Sequence, residues 1–90
     1  MPAEEAFIAL GSNIGDSVTI VEAAIRALDN ITRCRLRGRS SLYRSAALGD
    51  IPQHDYINAV ARIDSGLEPL ALLLELQAIV TEPAATRQRP

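Results

Sequence analysis

The strongest constraint on the fold is a strict alternation of side chains in residues 55–64 (DYINAVARID). Apolar or small residues at every second position share one face, and a larger or more polar set shares the other: Ile57, Ala59, Ala61 and Ile63 against Tyr56, Asn58, Val60 and Arg62. Because successive side chains of a β-strand point to opposite sides, this pattern predicts a strand with one buried face. Asn58 is the anomaly, since an amide in such a run needs a hydrogen-bonding partner.

The N-terminal third of the chain predicts a strand followed by a helix. Residues 6–10 (AFIAL) form a short apolar run that ends at Gly11, which is typical of a buried strand. Residues 17–31 then repeat apolar side chains at helical spacing. Asp16 or Ser17 can cap the start of that helix.

Two more elements complete the prediction. Residues 33–44 (RCRLRGRSSLYR) return to period two and predict one strand with a basic open face. That face would carry a comb of arginines: Arg33, Arg35, Arg37 and Arg39. Residues 65–80 predict a second helix with Pro69 in its first turn, and this helix is apolar on nearly every side.

The predicted order is strand, helix, strand, strand, helix. A right-handed crossover after the first strand lets the third strand lie antiparallel between the first and the second. We therefore predict an α+β, ferredoxin-like sandwich of βαββα form, with a three-stranded antiparallel sheet of order 1-3-2 and the last strand of the motif missing. Residues 1–82 would form this half domain, and residues 83–90 a flexible tail. The bare edge of the first strand, together with the apolar second helix, favours a homo-oligomer.

Composition excludes several classes of function. The formal net charge of the 90 residues is −2, which does not favour nucleic acid or an acidic membrane surface as a partner. The single cysteine, Cys34, excludes an internal disulfide and a cysteine-rich zinc site, and a reducing cytoplasm is the expected setting. No apolar run has the length of a membrane span, and the N-terminus does not look like a signal peptide.

Several short patterns could bind a ligand, and each also has a simpler interpretation. The turn GSN at 11–13 could bind an anion at the start of the first helix, or it could be a plain turn. The arginine comb could contact phosphates, or it could be a solvated face. His54 has no second ligand or nucleophile spaced around it, which favours a surface histidine. Tyr56 and Asn58 could stack on and hydrogen-bond a flat heterocycle, or they could simply face water.

Three longer segments together resemble one known family. They are FIALGSNIGD, SSLYRSAALGDIPQHDYINAVARI and LEPLALLLELQAIV, in this order and spacing, and the resemblance covers residues 6–80. The family is that of the 6-hydroxymethyl-7,8-dihydropterin pyrophosphokinases of folate biosynthesis. Its members are ferredoxin-like α/β sandwiches that use magnesium and ATP to transfer pyrophosphate to the hydroxymethyl group of a pterin, which releases AMP.

The resemblance implies a role for particular residues of this chain. Pterin-binding positions are implied in the loop after the second strand and on the third strand: Ser45, Ala46, Leu48, Tyr56 and Asn58. The loop would act largely through its backbone, Asn58 would hydrogen-bond the pterin ring, and Tyr56 would pack on the ring's face. Nucleotide-binding positions are implied at Gln77, Arg87 and Arg89. No catalytic residue and no metal ligand of the family falls within this chain.

The chain also departs from the family pattern. Ala46 stands where a proline is common, and Val80 stands where the family has a glutamate. The family's next strand, whose pair of aspartates holds two magnesium ions, would come after Pro90. Because pyrophosphoryl transfer depends on charge neutralisation, we expect little or no activity from this chain alone, a truncated form of the family. The alternatives are a non-catalytic pterin-binding protein and an oligomeric interaction protein.

Overall fold

The computed structural model describes residues 3–81. The predicted flexible tail at 83–90, with Arg87 and Arg89, lies outside these residues. The described chain is α+β, with one antiparallel sheet of four strands and two helices. The elements in chain order are β1 (Glu4–Ser12), α1 (Ser17–Leu28), β2 (Cys34–Arg39), β3 (Tyr43–Ser45), β4 (Tyr56–Ser65) and α2 (Pro69–Thr81).

Strand β4 organises the sheet because every other strand pairs with it. One of its edges pairs with the whole of β1, from Glu4 opposite Ser65 to Ser12 opposite Ile57. Its other edge pairs first with β3 and then with β2. The order is β1-β4-β2, with β3 joined to β4 off that path. Among residues 3–81, β1 is thus an edge strand with β4 as its one partner.

The prediction of three strands is wrong because residues 33–44 form two strands. Between β2 and β3, the Ser40 amide donates to the Val60 carbonyl at 2.8 Å. The Val60 amide donates to the Ser40 hydroxyl oxygen, also at 2.8 Å, rather than to a backbone carbonyl. The Ser40 hydroxyl thus replaces a backbone carbonyl as the acceptor for β4. Regular strand pairing therefore stops at Arg39 and resumes at Tyr43.

The predicted arginine comb is wrong at Arg39, the last of its four residues. A bulge between Leu36 and Gly38 shifts the register, so that Gly38 lies opposite Arg62 and Arg39 lies opposite Ala61. A one-residue shift reverses the face of every side chain that follows. Arg39 therefore lies on the helix side of the sheet, where it forms an ion pair with Glu22 of α1.

Helix α1 begins where the sequence predicts. Asp16 is its N-cap, and its carboxylate accepts hydrogen bonds from the Thr19 amide at 3.2 Å and the Thr19 hydroxyl at 2.8 Å. The hydroxyl contact first, and then the amide contact, lower the pKa of Asp16 below its ordinary value of 3.8, since both stabilise the carboxylate. The cap fixes the direction in which the chain leaves β1.

The core lies between the sheet and the two helices. Fully buried side chains of α1 and β4 meet there, and residues of β1, β2 and α2 pack around them: Val21, Ile25, Leu28, Ile57, Ala61 and Ile63 at the centre, with Ile8, Leu10, Leu36, Leu72, Leu76 and Ile79 beside them. Both helices thus lie on one face of the sheet. The opposite face, here called the open face, carries the alternate side chains of β4.

Helix α2 buries one side and exposes the other. Its exposed apolar residues form what we call the α2 outer surface: Leu70, Leu73, Leu74 and Val80. This matches the sequence pattern, in which apolar residues surround the helix. No helix within the described residues is long and apolar enough to cross a membrane.

Candidate functional site

The site is built around Asn58, which lies on the open face near the start of β4. Strand pairing places Gly11 of β1 directly opposite Asn58 on one side and Tyr43 of β3 on the other. The Asn58 amide nitrogen Nδ2 donates to the Ser45 hydroxyl at 2.8 Å and to the Tyr43 carbonyl at 3.5 Å. The amide that is anomalous in the sequence therefore has partners, and they come from β3.

Gly11 makes room for the other end of the Asn58 amide. A Cβ at position 11 would lie 3.0 Å from Asn58 Oδ1, closer than ordinary van der Waals contact. The absent side chain lets Oδ1 lie over the backbone of β1. The carboxamide is thus held at Nδ2 by Ser45, and Gly11 leaves the space that Oδ1 occupies. We call Gly11, Tyr43, Ser45, Tyr56 and Asn58 the Asn58 cluster.

Tyr56 stands beside Asn58 on the same face. It lies opposite Ser45 in the β3–β4 pairing, two residues before Asn58 along β4. Its side chain is 37% exposed, whereas Ile57 between them is buried in the core. A phenol ring and an amide therefore lie next to one another on an accessible surface, an arrangement that suits a flat, polar-edged ligand.

The loop between β3 and β4 continues from this cluster. Ala46 and Leu48 follow Ser45 and are exposed, and Leu48 is 90% accessible. Asn13 contacts the end of the loop that precedes β4. Its Nδ2 donates to Gln53 Oε1 at 3.2 Å and to the His54 carbonyl at 3.4 Å. Of the predicted GSN turn, Gly11 and Ser12 belong to β1, and Asn13 after them contacts the end of the loop.

The predicted nucleotide-binding residues lie either away from the Asn58 cluster or outside residues 3–81. Gln77 is on α2, in the helix layer, whereas the Asn58 cluster is on the open face. Arg87 and Arg89 lie beyond residue 81. Within residues 3–81, no group of three or more histidine, cysteine, aspartate or glutamate side chains could hold a metal ion.

Sequence reasoning missed Gly11 and Tyr43 as parts of the cluster. Both belong to it only through pairing with β4, at separations of 47 and 15 positions from Asn58. It also missed a shallow pocket of about 210 Å³ that spans β1, β4 and the end of β2. This pocket is lined by Phe7, Gly38, Arg39, Ser40, Val60 and Arg62, so it neighbours the Asn58 cluster without including it.

Comparison with known proteins gives a consistent result. The family profile described as 7,8-dihydro-6-hydroxymethylpterin-pyrophosphokinase matches residues 7–90. A 2-amino-4-hydroxy-6-hydroxymethyldihydropteridine pyrophosphokinase of Haemophilus influenzae is 45% identical over 84 residues, which are 93% of this chain and 52% of the relative. The proteins of the same name from Pseudomonas putida and Pseudomonas aeruginosa are 42% and 38% identical, and the matches cover 68% and 52% of those relatives. The chain thus spans about half the length of two of these three relatives.

Proposed function

Because the chain belongs to the 7,8-dihydro-6-hydroxymethylpterin-pyrophosphokinase family, we propose that the Asn58 cluster is the pterin-binding part of a pyrophosphokinase site. The observation that carries this proposal is the fixed orientation of the Asn58 carboxamide, with Nδ2 on Ser45 and Oδ1 over Gly11. An amide that is already oriented by a hydrogen bond at an accessible surface is a preorganised recognition group, since it loses less side-chain entropy on binding.

The chemistry of a pterin fits this arrangement. Its ring is flat, and the amino and hydroxy groups in the relatives' names supply hydrogen-bond donors and acceptors along one edge. In the proposed complex, Asn58 Oδ1 accepts a hydrogen bond from that edge, and Tyr56 packs against the face of the ring. Ala46 and Leu48 cover the ring from the loop that follows Ser45.

We further propose that the fold is the ferredoxin-like sandwich of the family. The crossover from β1 through α1 to β2, with β4 between the two strands, supports this assignment. The proposed setting is the cytoplasm, where a single thiol such as that of Cys34 stays reduced.

The nucleotide side of the reaction is a separate proposal. Gln77, Arg87 and Arg89 are its candidates in this chain, and magnesium would neutralise the phosphates of ATP. The described residues offer no cluster of metal ligands. We therefore propose that this chain alone binds pterin but turns it over weakly or not at all.

A calorimetric titration with 6-hydroxymethylpterin tests the binding proposal. We expect saturable binding to the wild-type chain and a loss of at least about tenfold in affinity for Asn58→Ala, because a buried edge contact of the ligand would be left unpaired. Asn30→Ala is the matched control, since Asn30 is an exposed asparagine that donates to the Arg26 carbonyl at the far end of α1. Equal affinity for the two variants would contradict the assignment of Asn58.

A coupled assay of AMP release tests the catalytic part. With pterin, ATP and magnesium, we expect no turnover above background for the purified chain. Rapid turnover would contradict the proposal that this chain alone turns pterin over weakly or not at all. Absence of pterin binding, with a stable oligomer in solution, would instead favour an interaction protein.

A further inference from the structure

Four side chains of the open face meet where β3 pairs with β4. The pairing sets Tyr43 opposite Asn58 and Ser45 opposite Tyr56, so the four positions form the corners of a parallelogram. Asn58 Nδ2 donates to the Ser45 hydroxyl across one diagonal at 2.8 Å. Tyr43 and Tyr56 therefore occupy the other diagonal, on opposite sides of the Asn58–Ser45 pair.

The distance between the two tyrosine positions suits a flat ligand. Diagonal positions on an antiparallel pair of strands are about 7–8 Å apart. Carbon atoms in van der Waals contact are about 3.5–4.0 Å apart, so the space between the two positions is about two such contacts wide. A flat ring that enters this space is within contact distance of both phenol rings.

The side chain of Tyr43 is accessible to a ligand. It is 60% exposed, and that of Tyr56 on the opposite corner is 37% exposed. The Tyr43 carbonyl also accepts from Asn58 Nδ2 at 3.5 Å, so the backbone that carries the ring is joined to the amide. An accessible aromatic ring beside an oriented amide suits a ligand with an apolar face and a polar edge.

The pair between the tyrosines offers both an acceptor and a donor. Asn58 Oδ1 is an acceptor, and Gly11 leaves it space. The Ser45 hydroxyl accepts from Asn58 and keeps its own O–H to donate. These two groups complement a ligand edge that carries both a donor and an acceptor, such as the pterin edge proposed above.

We propose that Tyr43 is a ligand-contacting residue of this site, and that a flat ligand held by Asn58 touches the rings of both Tyr43 and Tyr56. This inference rests on the proposed pterin function and adds a contact that the function itself does not require. The contact belongs to the β3–β4 pairing, so it lies within one chain.

Calorimetry with 6-hydroxymethylpterin measures what the Tyr43 ring contributes. We expect Tyr43→Leu to raise the Kd about three- to tenfold, because an aromatic contact with the ligand is lost. Tyr43→Phe keeps the ring and should keep the Kd within about twofold of the wild type. Phe7→Leu is the matched control, since Phe7 is an aromatic residue on the same face, 65% exposed and opposite Arg62 rather than Asn58.

The outcomes separate this inference from the proposed function. Equal Kd values for Tyr43→Leu and the wild type would overturn the role of Tyr43. A loss of affinity in Asn58→Ala in the same series would then leave the proposed function standing. No binding of pterin by the wild-type chain would overturn both.

Nuclear magnetic resonance tests the contact directly. The chain has two tyrosines, so labelled tyrosine rings give two sets of signals, and Tyr56→Phe leaves those of Tyr43 alone. In the pterin complex of either chain, we expect nuclear Overhauser effects between ligand protons and the Tyr43 ring. Their absence at saturating ligand would overturn the inference, because a ring that acts only through the position of Asn58 does not touch the ligand.

Discussion

Replacing Gly11 by alanine should weaken pterin binding while leaving the fold nearly as stable as before. The new Cβ would lie 3.0 Å from Asn58 Oδ1, so the carboxamide must move by a few tenths of an ångström. That movement is opposed by the Nδ2 hydrogen bond to Ser45 at 2.8 Å. The substitution therefore changes the orientation of the Asn58 carboxamide and leaves its hydrogen-bonding groups in place.

The expected magnitudes separate stability from binding. Alanine in a strand is favoured over glycine by about 0.5–1 kcal/mol, because glycine loses more backbone entropy on folding. A weakened Asn58–Ser45 hydrogen bond costs about 0.5–1.5 kcal/mol, so the free energy of unfolding should change by less than about 1 kcal/mol. Loss of one well-placed contact to the ligand should raise the Kd about three- to tenfold.

Three measurements on Gly11→Ala check this reasoning. Urea unfolding gives the stability, calorimetry with 6-hydroxymethylpterin gives the Kd, and the side-chain amide resonances of Asn58 report its environment without ligand. Gly38→Ala is the control, because its Cβ would meet Arg62 Nη2 at an ordinary 3.7 Å on the same open face. Unshifted Asn58 resonances, together with the same affinity in both variants, would refute the proposed role of Gly11.

Three further predictions concern the fold. Because the folded-state pKa of Asp16 lies below 3.8, its cap should stabilise the chain above that pH. The free energy of unfolding, relative to that of Asp16→Asn, should fall as the pH decreases through the folded-state pKa. A double-mutant cycle between Arg39 and Glu22 should give a coupling of about 0.2–1 kcal/mol in unfolding experiments, because the bulge brings them together. Ile63→Val should cost about 0.5–1.5 kcal/mol, whereas Val60→Ala, on the open face, should cost less than about 0.5 kcal/mol.

Each of these predictions has a clear contrary result. Parallel pH profiles for the wild type and Asp16→Asn would show that the cap does not titrate with folding. Zero coupling would show that the Arg39–Glu22 ion pair does not contribute to stability. A larger loss at Val60 than at Ile63 would reverse the two faces of β4.

Local patterns were sufficient to predict part of this fold. The helix after Asp16, the two faces of β4 and the start of α2 at Pro69 follow from periodicity and capping, which act over a few neighbouring residues. The division of residues 33–44 into two strands could not be predicted from their period-two alternation. It depends on a bulge and on the Ser40 side chain meeting Val60, a contact between segments 20 positions apart.

The candidate site divides in the same way. Tyr56 and Asn58 share a face because they are two residues apart on one strand, and spacing predicts that. The partners of Asn58 come from β1 and β3, and their registers are set by long-range pairing. The residues around Gly11 in the sequence do not show that this glycine lies opposite the Asn58 amide, 47 positions further along the chain.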